Sequence, residues 1–314
     1  MINQEEDTSK IASPTIVILG GSGMLGHKLF QQLRAEYPGT ICTIRGRASD
    51  APFSRIPLFQ SGGVIEGLDV TDYEELSRLL LRLRPDFLIN CIGVIKQRDA
   101  ASSYLPTITL NSLLPHRLAE LTAKWDGRMI HFSTDCVFNG LRGMYTEEVP
   151  SDAVDLYGRT KFLGETTEPN ALTLRTSIIG RELVNHRSLL DWFLSNRGGK
   201  VDGYRESIYS GVTTNHLADV IKDIIERHPQ LNGLYQVAST PISKYDLLCL
   251  LKKAYDVDIA INPVDGERVD RSMDGSKFAN ATGYKCPSWT SLVQHLAEDP
   301  TPYEQWLWSG HSRT

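Results

Sequence analysis

The sequence predicts an α/β fold, in which a doubly wound parallel sheet of the Rossmann type is joined to a smaller C-terminal α+β lobe. Short apolar, β-branched segments alternate with helical patterns through residues 15–180, as in parallel βαβ units. After residue 180 helical patterns dominate, and only short strand-like segments lie between them. We therefore divide the chain into a first domain at 13–180 and a second lobe at 181–314, which we expect to be interleaved with the sheet.

The elements of the first domain follow in order. Apolar runs predict strands at 15–20, 40–45, 63–70, 86–95, 128–134 and 171–180. Helical periodicity predicts helices at 23–33, 111–124 and 156–165. Another helix is expected after Thr71, because Glu74 stands three residues later, as in a capping box. In the second lobe we predict helices at 188–194, 214–227, 243–255 and 289–297 and strands at 234–239 and 258–264.

Charge, cysteine pattern and hydropathy exclude several classes of protein. The 314 residues carry a formal net charge of −5, which argues against a general nucleic-acid binder. The five cysteines are scattered, as in a reduced cytoplasmic protein, and the eight histidines show no HxH or HExxH pattern, so no metal site is predicted. Residues 1–12 are polar and acidic, which predicts a disordered lead-in and not a signal peptide. No apolar run is long enough to span a membrane.

The turn between the first predicted strand and helix, GGSGMLG, has dinucleotide-binding spacing. Gly21, Gly23 and Gly26 form GxGxxG, and Gly20 begins an overlapping GxxGxxG. Residues without a Cβ let the backbone approach a pyrophosphate, and the following helix N-terminus favours negative charge. The alternative is an ordinary glycine-rich turn, but the position at the head of a βαβ series favours the dinucleotide. The predicted cofactor contacts in this turn are Gly20, Gly21, Ser22, Gly23, Met24, Leu25 and Gly26.

Two arginines after the second predicted strand favour NADP as the cofactor. An acidic residue there usually binds the ribose hydroxyls of NAD, whereas arginine accommodates the 2′-phosphate of NADP. This chain has Arg45 and Arg47 and no acid before Asp50. The alternatives are two merely exposed arginines and NAD as the cofactor. After the third strand, Asp69 and Val70 are predicted to reach the adenine, although Asp69 could instead cap the next helix.

A hydroxyl, a tyrosine and a lysine follow at spacings that suit carbonyl reduction. Ser133 and Thr134 end a predicted buried strand, which is where open α/β sheets bind ligands. Tyr157 comes 23 residues after Thr134, and Lys161 lies four residues further on the same helical face. YxxxK alone is also common on surface helices. Beside a dinucleotide, we expect the Lys161 ammonium and the nicotinamide charge to lower the pKa of Tyr157. Tyr157 would then exchange a proton with the substrate oxygen, Thr134 would hydrogen-bond it, and Lys161 would hold the nicotinamide ribose.

These segments resemble the extended short-chain dehydrogenase/reductase superfamily and, within it, the dTDP-4-dehydrorhamnose reductase family. STDCVFNG (133–140) is similar to that family's STDYVFxG, with Cys136 in place of the tyrosine, and YGRTKFLGE (157–165) is similar to its YGxTKxxGE. The resemblance covers most of the chain, from residue 15 to about Tyr284. It implies catalytic roles for Thr134, Tyr157 and Lys161 and a nucleotide sugar as the substrate.

The resemblance also assigns ligand contacts. NCIG (90–93) takes the place of the family's NxAA along the cofactor, and LRTSIIG (174–180) matches a segment beside the nicotinamide. Asn111 matches an asparagine of the intervening helix, and DRSMDGSKF (270–278) resembles a late segment that contains an arginine. The further predicted cofactor contacts are Cys91, Ile92, Gly93, Ser133, Lys161, Thr176 and Ser177. The predicted substrate contacts are Lys96, Thr134, Asp135, Tyr157 and Arg271.

Other polar residues are weaker candidates. Lys96 and Arg98 follow the fourth predicted strand and could meet a substrate phosphate or lie in a solvated loop. Thr213 and Thr214 are candidates for the sugar pocket, and Thr214 also suits a helix N-cap. Arg205, Lys244 and Arg268 are interpreted as surface charges. The aromatic segment PYEQWLW (302–308) is expected to pack on the body of the protein rather than on a partner.

The sequence therefore predicts a cytoplasmic NADPH-dependent reductase of a nucleotide-activated 4-keto-6-deoxy sugar, in which the lobe at 181–314 binds the substrate. Relatives suggest a homodimer, and we expect neither nucleic acid nor membrane as a partner. One alternative is an epimerase or dehydratase that retains NAD, with Asp135 as an added acid. Another is a non-catalytic NADP-binding regulatory subunit, since the regulatory subunit of methionine adenosyltransferase shares the resemblance.

Overall fold

The structure, a computed structural model, describes residues 13–95, 103–184 and 186–306. The predicted lead-in at 1–12, the candidates Lys96 and Arg98 and the last two residues of PYEQWLW lie outside the described residues. Within the described ranges, no helix has the length and apolar character needed to cross a bilayer.

Fourteen strands are present in the described residues. In chain order they are β1 (Ile16–Leu19), β2 (Ile41–Thr43), β3 (Val64–Ile65), β4 (Phe87–Asn90), β5 (Arg128–Ser133), β6 (Ala171–Arg175), β7 (Ile178–Ile179), β8 (Lys200–Tyr204), β9 (Ser207–Tyr209), β10 (Val212–Thr213), β11 (Gly233–Gln236), β12 (Ile242–Ser243), β13 (Ala260–Val264) and β14 (Val269–Asp270). Seven of them form one parallel sheet in the order β11–β6–β5–β4–β1–β2–β3. The strand order reverses between β1 and β4, which is the position at which doubly wound sheets bind their ligands. The predicted fold class is confirmed.

Twelve α-helices surround the strands in the described part of the chain. They are α1 (Met24–Glu36), α2 (Pro57–Gln60), α3 (Tyr73–Leu83), α4 (Tyr104–Ile108), α5 (Leu114–Thr122), α6 (Leu156–Leu163), α7 (Leu189–Ser195), α8 (Thr214–Arg227), α9 (Lys244–Ala254), α10 (Ser276–Thr282), α11 (Trp289–Ala297) and α12 (Tyr303–Trp306). A π-helical turn (Thr109–Leu113) joins α4 to α5, so the helix predicted at 111–124 begins earlier, at Tyr104.

The sheet separates two apolar cores because side chains alternate along a strand. Ile16 and Ile18 of β1 face α1 and α8, where Leu29 and Leu217 are fully buried. Val17 and Leu19 face the opposite core, which contains side chains of α3 and α5. Both faces of the sheet are covered by helices, as the continuous apolar strands of the sequence predict.

The second lobe has its own apolar core and three small sheets. The sheets are β7–β10, β12–β9–β14 and β8–β13. Leu190 and Phe193 of α7 pack there with Leu247 of α9 and Leu292 of α11. β11, however, joins the large sheet beside β6, and α8 packs against α1. Elements from after residue 180 therefore complete the first domain.

Several predicted boundaries are wrong for local reasons. The strand predicted at 171–180 ends at Arg175, and Ile178–Ile179 pairs instead with β10 in a separate sheet. Asp72, not Thr71, caps α3, because its carboxylate accepts from the Glu75 backbone N–H at 3.0 Å. Asp69 caps no helix and accepts from the backbone N–H and the hydroxyl of Thr71.

Candidate active site

A cavity of about 710 Å³ lies at the C-terminal ends of β1, β4, β5 and β6. This volume is within the range of small-molecule and cofactor sites. The predicted site residues that line it are Ser22, Gly23, Met24, Leu25, Cys91, Ile92, Gly93, Ser133, Thr134, Asp135, Tyr157, Lys161, Thr176, Ser177 and Arg271. The fold thus brings together side chains that are spread over some 250 residues of sequence.

The remaining predicted cofactor residues lie outside the wall of this cavity. Gly20, Gly21 and Gly26 are in the turn behind it, and Val70 is buried. Arg45, Arg47 and Asp69 are exposed side chains beyond the ends of β2 and β3. Hydrogen bonds from Thr71 hold the pKa of Asp69 below its ordinary value, and the nearby charge of Arg45 contributes a smaller part.

The glycine-rich turn is closely packed against itself. Gly20 has a φ of +86°, which side chains other than glycine rarely adopt. A Cβ on Gly26 would lie 2.1 Å from the Gly20 carbonyl oxygen, so no other residue fits there. Gly23 caps α1 without any side-chain hydrogen bond, and the first amides of α1 therefore face the cavity side without a side-chain acceptor. This geometry fits a pyrophosphate.

Asn111 of the π-helical turn clamps the cavity wall. Its Oδ1 accepts from the Val94 backbone N–H at 2.8 Å, and its Nδ2 donates to the Val94 carbonyl at 3.1 Å. The same Nδ2 lies 3.3 Å from the Thr160 hydroxyl of α6. A buried carboxamide thus fixes the segment after β4 relative to the helix that carries Tyr157 and Lys161. π-helical turns are frequent at functional sites.

Thr134 and Asp135 follow β5 into the cavity. The Thr134 hydroxyl donates to Asp135 Oδ1 at 3.0 Å and accepts from the Cys136 backbone N–H at 3.2 Å. Burial raises the pKa of Asp135, while hydrogen bonds from Thr134 and Ser177 and the charge of Arg271 oppose the rise. The Arg271 guanidinium is itself held by the Phe138 carbonyl at 2.8 Å. Both carboxyl and guanidinium therefore have fixed positions in the wall.

Tyr157 of α6 lies in the cavity wall. Burial raises its pKa above the ordinary value, the charge of Cys136 adds to the rise, and a hydrogen bond with Thr134 opposes it. In the protein alone desolvation outweighs the favourable contacts, and the lowering of this pKa expected beside a bound nicotinamide stays a prediction. The raised pKa means that the phenol carries its proton at neutral pH.

Lys161 lies one helical turn after Tyr157 and is almost fully buried. Its ammonium donates to the Phe132 carbonyl at 2.5 Å. Burial lowers the pKa of Lys161 to about 8, and the charge of Glu165 opposes this. The lysine is thus positively charged at neutral pH but close to losing its proton.

Ser133 does not offer its hydroxyl to the cavity. The hydroxyl donates to Glu165 Oε1 at 2.6 Å, and Glu165 also accepts two hydrogen bonds from Arg175 at 2.7 Å. The Arg175 and Glu165 side chains are only 2% and 5% exposed. This ion pair ties the end of α6 to β6 directly behind the candidate catalytic residues.

The second lobe contributes wall residues that sequence reasoning missed. Trp192 lines the cavity and is 40% exposed, and Tyr209 and Arg187 line it as well. Lys244, interpreted from sequence as a surface charge, also lies in the wall. The spacing of Trp192 in an amphipathic helix could have indicated its outward position, but not the cavity that it faces.

Thr213 and Thr214 are not part of the wall as the structure describes it. Both are buried, and Thr213, rather than Thr214, caps α8 by accepting from the His216 backbone N–H at 3.3 Å. Among the described residues, no group of three or more His, Cys, Asp or Glu side chains is arranged to hold a metal ion.

Comparison with known proteins places this geometry in a family. A mouse protein, methionine adenosyltransferase 2 subunit beta, is 25% identical over 93% of this chain and 90% of its own length. The dTDP-4-dehydrorhamnose reductase of Aggregatibacter actinomycetemcomitans is 24% identical over 76% of this chain and 85% of its own length. The structure of dTDP-4-dehydrorhamnose reductase from Bacillus anthracis in complex with NADP superposes with a TM-score of 0.75 at 18% identity and covers 90% of this chain and 98% of that one. Residues 14–301 match the family described as the RmlD substrate binding domain, and the chain belongs to that family.

Proposed function

We propose that the protein is an NADPH-dependent reductase of a nucleotide-activated 4-keto-6-deoxy sugar. One observation carries the proposal: Tyr157 shares a cavity with Thr134, with Lys161 and with the glycine-rich turn. The membership of the family and the dTDP-sugar reductases among the relatives support the substrate class.

The residues of the glycine-rich turn fit a dinucleotide. The uncapped start of α1, with Ser22 and Gly23 in the cavity wall, would hold the pyrophosphate, and Lys161 would hold the hydroxyls of the nicotinamide ribose. When bound, the reduced nicotinamide supplies the hydride.

The chain supplies the proton. The Thr134 hydroxyl, which donates to Asp135 in the protein alone, would turn to donate to the substrate carbonyl oxygen and polarise it. Tyr157, kept protonated by burial, transfers its phenolic proton to the alkoxide that forms as the carbon accepts the hydride. The ammonium of Lys161, one helical turn away, stabilises the resulting phenolate. The ketone thus gains one hydride and one proton and becomes an alcohol. Tyr157 then takes up a proton from solvent.

The far end of the cavity suits a nucleotide arm. The exposed indole of Trp192 offers a flat apolar surface for a base. Lys244, which makes no ion pair in the described part of the chain, and Arg271 offer positive charge for a diphosphate. The direct test is an NADPH-oxidation screen across 4-keto nucleotide sugars, with products identified by NMR. We expect oxidation with at least one dTDP- or UDP-linked 4-keto-6-deoxy sugar, and oxidation with none would refute the proposal.

Arg45 and Arg47 support NADP as the cofactor. Exchanging both for alanine should raise the Kd of NADPH by at least about 10- to 100-fold, which is the effect of losing one charge-assisted hydrogen bond of about 1.5–3 kcal/mol to the phosphate. The Kd of NADH, which lacks that phosphate, should stay nearly constant. Titrations that follow reduced-nicotinamide fluorescence measure both values. Equal losses for the two cofactors would contradict the assignment of the arginines to the 2′-phosphate.

The lowered pKa of Lys161 predicts a pH limit. Below about pH 8 the side chain is an ammonium and can hold the ribose and stabilise the phenolate, and above about pH 8 it is neutral. We therefore expect kcat/KM for NADPH, which reports groups of the free enzyme, to be level below this pH and to fall above it. The Lys161→Met variant should have a low kcat/KM without this break. A wild-type profile that stays level well above pH 8 would contradict the role of Lys161.

A second candidate function is supported by the relatives. Methionine adenosyltransferase 2 subunit beta matches almost the whole chain, so a regulatory subunit that binds NADP without turning it over is a distinct proposal. It predicts a stable complex with a second type of chain and no NADPH oxidation by any nucleotide sugar. The presence of Thr134, Tyr157 and Lys161 in one cavity favours the reductase.

A further inference from the structure

Residues 299–306, here called the C-terminal strap, contact α1 at His27, Lys28 and Gln31. The Lys28 ammonium lies 2.5 Å from Asp299 Oδ2, and these side chains are 2% and 6% exposed. One residue earlier on α1, His27 Nε2 lies 2.9 Å from the Tyr303 hydroxyl oxygen, and the two rings meet edge to face at 5.7 Å. Both contacts are buried, so the strap is a fixed part of this face of α1.

The direction of each hydrogen bond at His27 follows from chemistry. His27 Nδ1 lies 2.9 Å from the Gly23 carbonyl oxygen, which can only accept, so Nδ1 carries the ring proton. His27 is neutral, because burial lowers its pKa to about 4. Nε2 is then an acceptor, and the Tyr303 hydroxyl must donate to it. A single directed chain therefore runs from the tyrosine through the imidazole to the Gly23 carbonyl.

Gly23 is the last residue before α1 and lies in the cavity wall. Its backbone N–H donates to the Gly20 carbonyl at 3.0 Å, within the turn proposed to hold the pyrophosphate. The orientation of the Gly23 carbonyl sets that of the peptide that joins it to Met24, and hence of the first amide of α1. The strap thus reaches the glycine-rich turn through His27 and Tyr303, neither of which lines the cavity.

Tyr303 and Glu304 of the strap also contact Arg181, which follows β7. Arg181 lies over the Tyr303 ring at 4.9 Å and donates to Glu304 at 2.9 Å. Its Nε also donates to Asp191 of α7 at 2.6 Å, next to Trp192. The strap is therefore bonded directly to α1 and, through Arg181, to α7.

We propose that His27 and Tyr303 are positioning residues for the glycine-rich turn, and that the C-terminal strap is in this way part of the cofactor site. The inference rests on the proposed nicotinamide cofactor. A turn whose amides are already oriented loses less entropy when it binds a pyrophosphate, so the directed chain increases affinity without touching the cofactor.

The test measures binding of NADPH by its fluorescence, without any sugar. Tyr303→Phe removes only the hydroxyl, and we expect the Kd of NADPH to rise about 3- to 10-fold, the effect of losing one buried hydrogen bond. At saturating NADPH, kcat should be unchanged. His27→Gln keeps a side-chain donor near the Gly23 carbonyl and should retain more affinity than His27→Phe, which has none.

Asp299→Asn is the matched control, because it weakens the ion pair to Lys28 in the same strap without touching Gly23. We expect it to lower Tm while the Kd of NADPH stays at the wild-type value. If the Kd rises in both variants in proportion to the loss of Tm, the strap is only structural and the inference fails. An unchanged Kd in Tyr303→Phe, or a wild-type protein that does not bind NADPH, also overturns it. NADPH binding without reduction of any nucleotide sugar would refute the proposed substrate alone.

Discussion

The Tyr157→Phe variant is expected to lose about 10²- to 10⁴-fold in kcat, the usual contribution of general acid catalysis. Tyr157 is the proposed donor, because its phenol, whose pKa burial raises, keeps its proton until an alkoxide forms beside it. The Kd of NADPH should stay near the wild-type value, because the ring remains and Lys161 keeps its bond to the Phe132 carbonyl. Steady-state NADPH oxidation and a separate binding titration measure the two effects.

Tyr255→Phe is a suitable control for this prediction. Tyr255 is a second tyrosine with a raised pKa, and its hydroxyl donates to the Leu296 carbonyl at 3.2 Å, outside the cavity wall. Removing that hydroxyl should lower stability slightly and leave kcat unchanged. Full turnover in Tyr157→Phe would show that another group protonates the product, and the mechanism would have to be abandoned.

Glu165→Ala is expected to lower the free energy of unfolding by about 3–5 kcal/mol, because it leaves the buried Arg175 guanidinium without its counter-charge. The variant also removes the acceptor of the Ser133 hydroxyl. Arg175 would keep only its contact with the Phe138 ring, at 5.2 Å. Urea unfolding followed by circular dichroism measures the loss, provided that the slope of the transition is unchanged.

Two further variants test whether burial of the ion pair is the cause of the stability loss expected for Glu165→Ala. Glu74 pairs with Arg78 at 3.9 Å with both side chains largely exposed, and Glu74→Ala should change stability by less than about 1 kcal/mol. The double variant Glu165→Leu with Arg175→Met replaces the whole pair with apolar side chains and should be more stable than Glu165→Ala. A loss for Glu165→Ala no larger than that for Glu74→Ala would mean that water reaches Arg175.

The elements that build the sheet could be predicted from sequence because their physical signals are local. An apolar run such as that at 86–95 indicates a buried strand of a βαβ unit. The glycine spacing at 20–26 indicates a tight turn between the first strand and the first helix. The spacing from Thr134 to Lys161 likewise brings the three candidate catalytic residues to one edge once the strand order is known. α8, predicted at 214–227, has these bounds in the structure.

The features that sequence did not reveal depend on competition between neighbours or on tertiary contacts. Thr71 and Asp72 can both cap a helix, and only the backbone path shows that Asp72 does so while Asp69 holds Thr71. Whether the pKa of Tyr157 is raised or lowered depends on how much water the fold removes from the phenol. The YxxxK spacing gives no information about this. Trp192 and Lys244 lie on α7 and α9, which are placed beside the cavity by the core of the second lobe. No local sequence motif indicates how these two helices pack.

The edge strand β11 limits where the chain can be cut into two parts. All four residues of β11 (Gly233–Gln236) pair with β6. About sixty residues, most of them in the second lobe, separate the two strands in sequence. A chain that ended at residue 180 would leave the backbone N–H and C=O groups of β6 unpaired along an apolar edge, which is a template for association with other chains. Gene fusion or recombination that exchanges the two functional halves at this boundary would therefore produce a sheet with an open side. A different second lobe could be acquired by this fold only together with its own copy of the strand that pairs with β6.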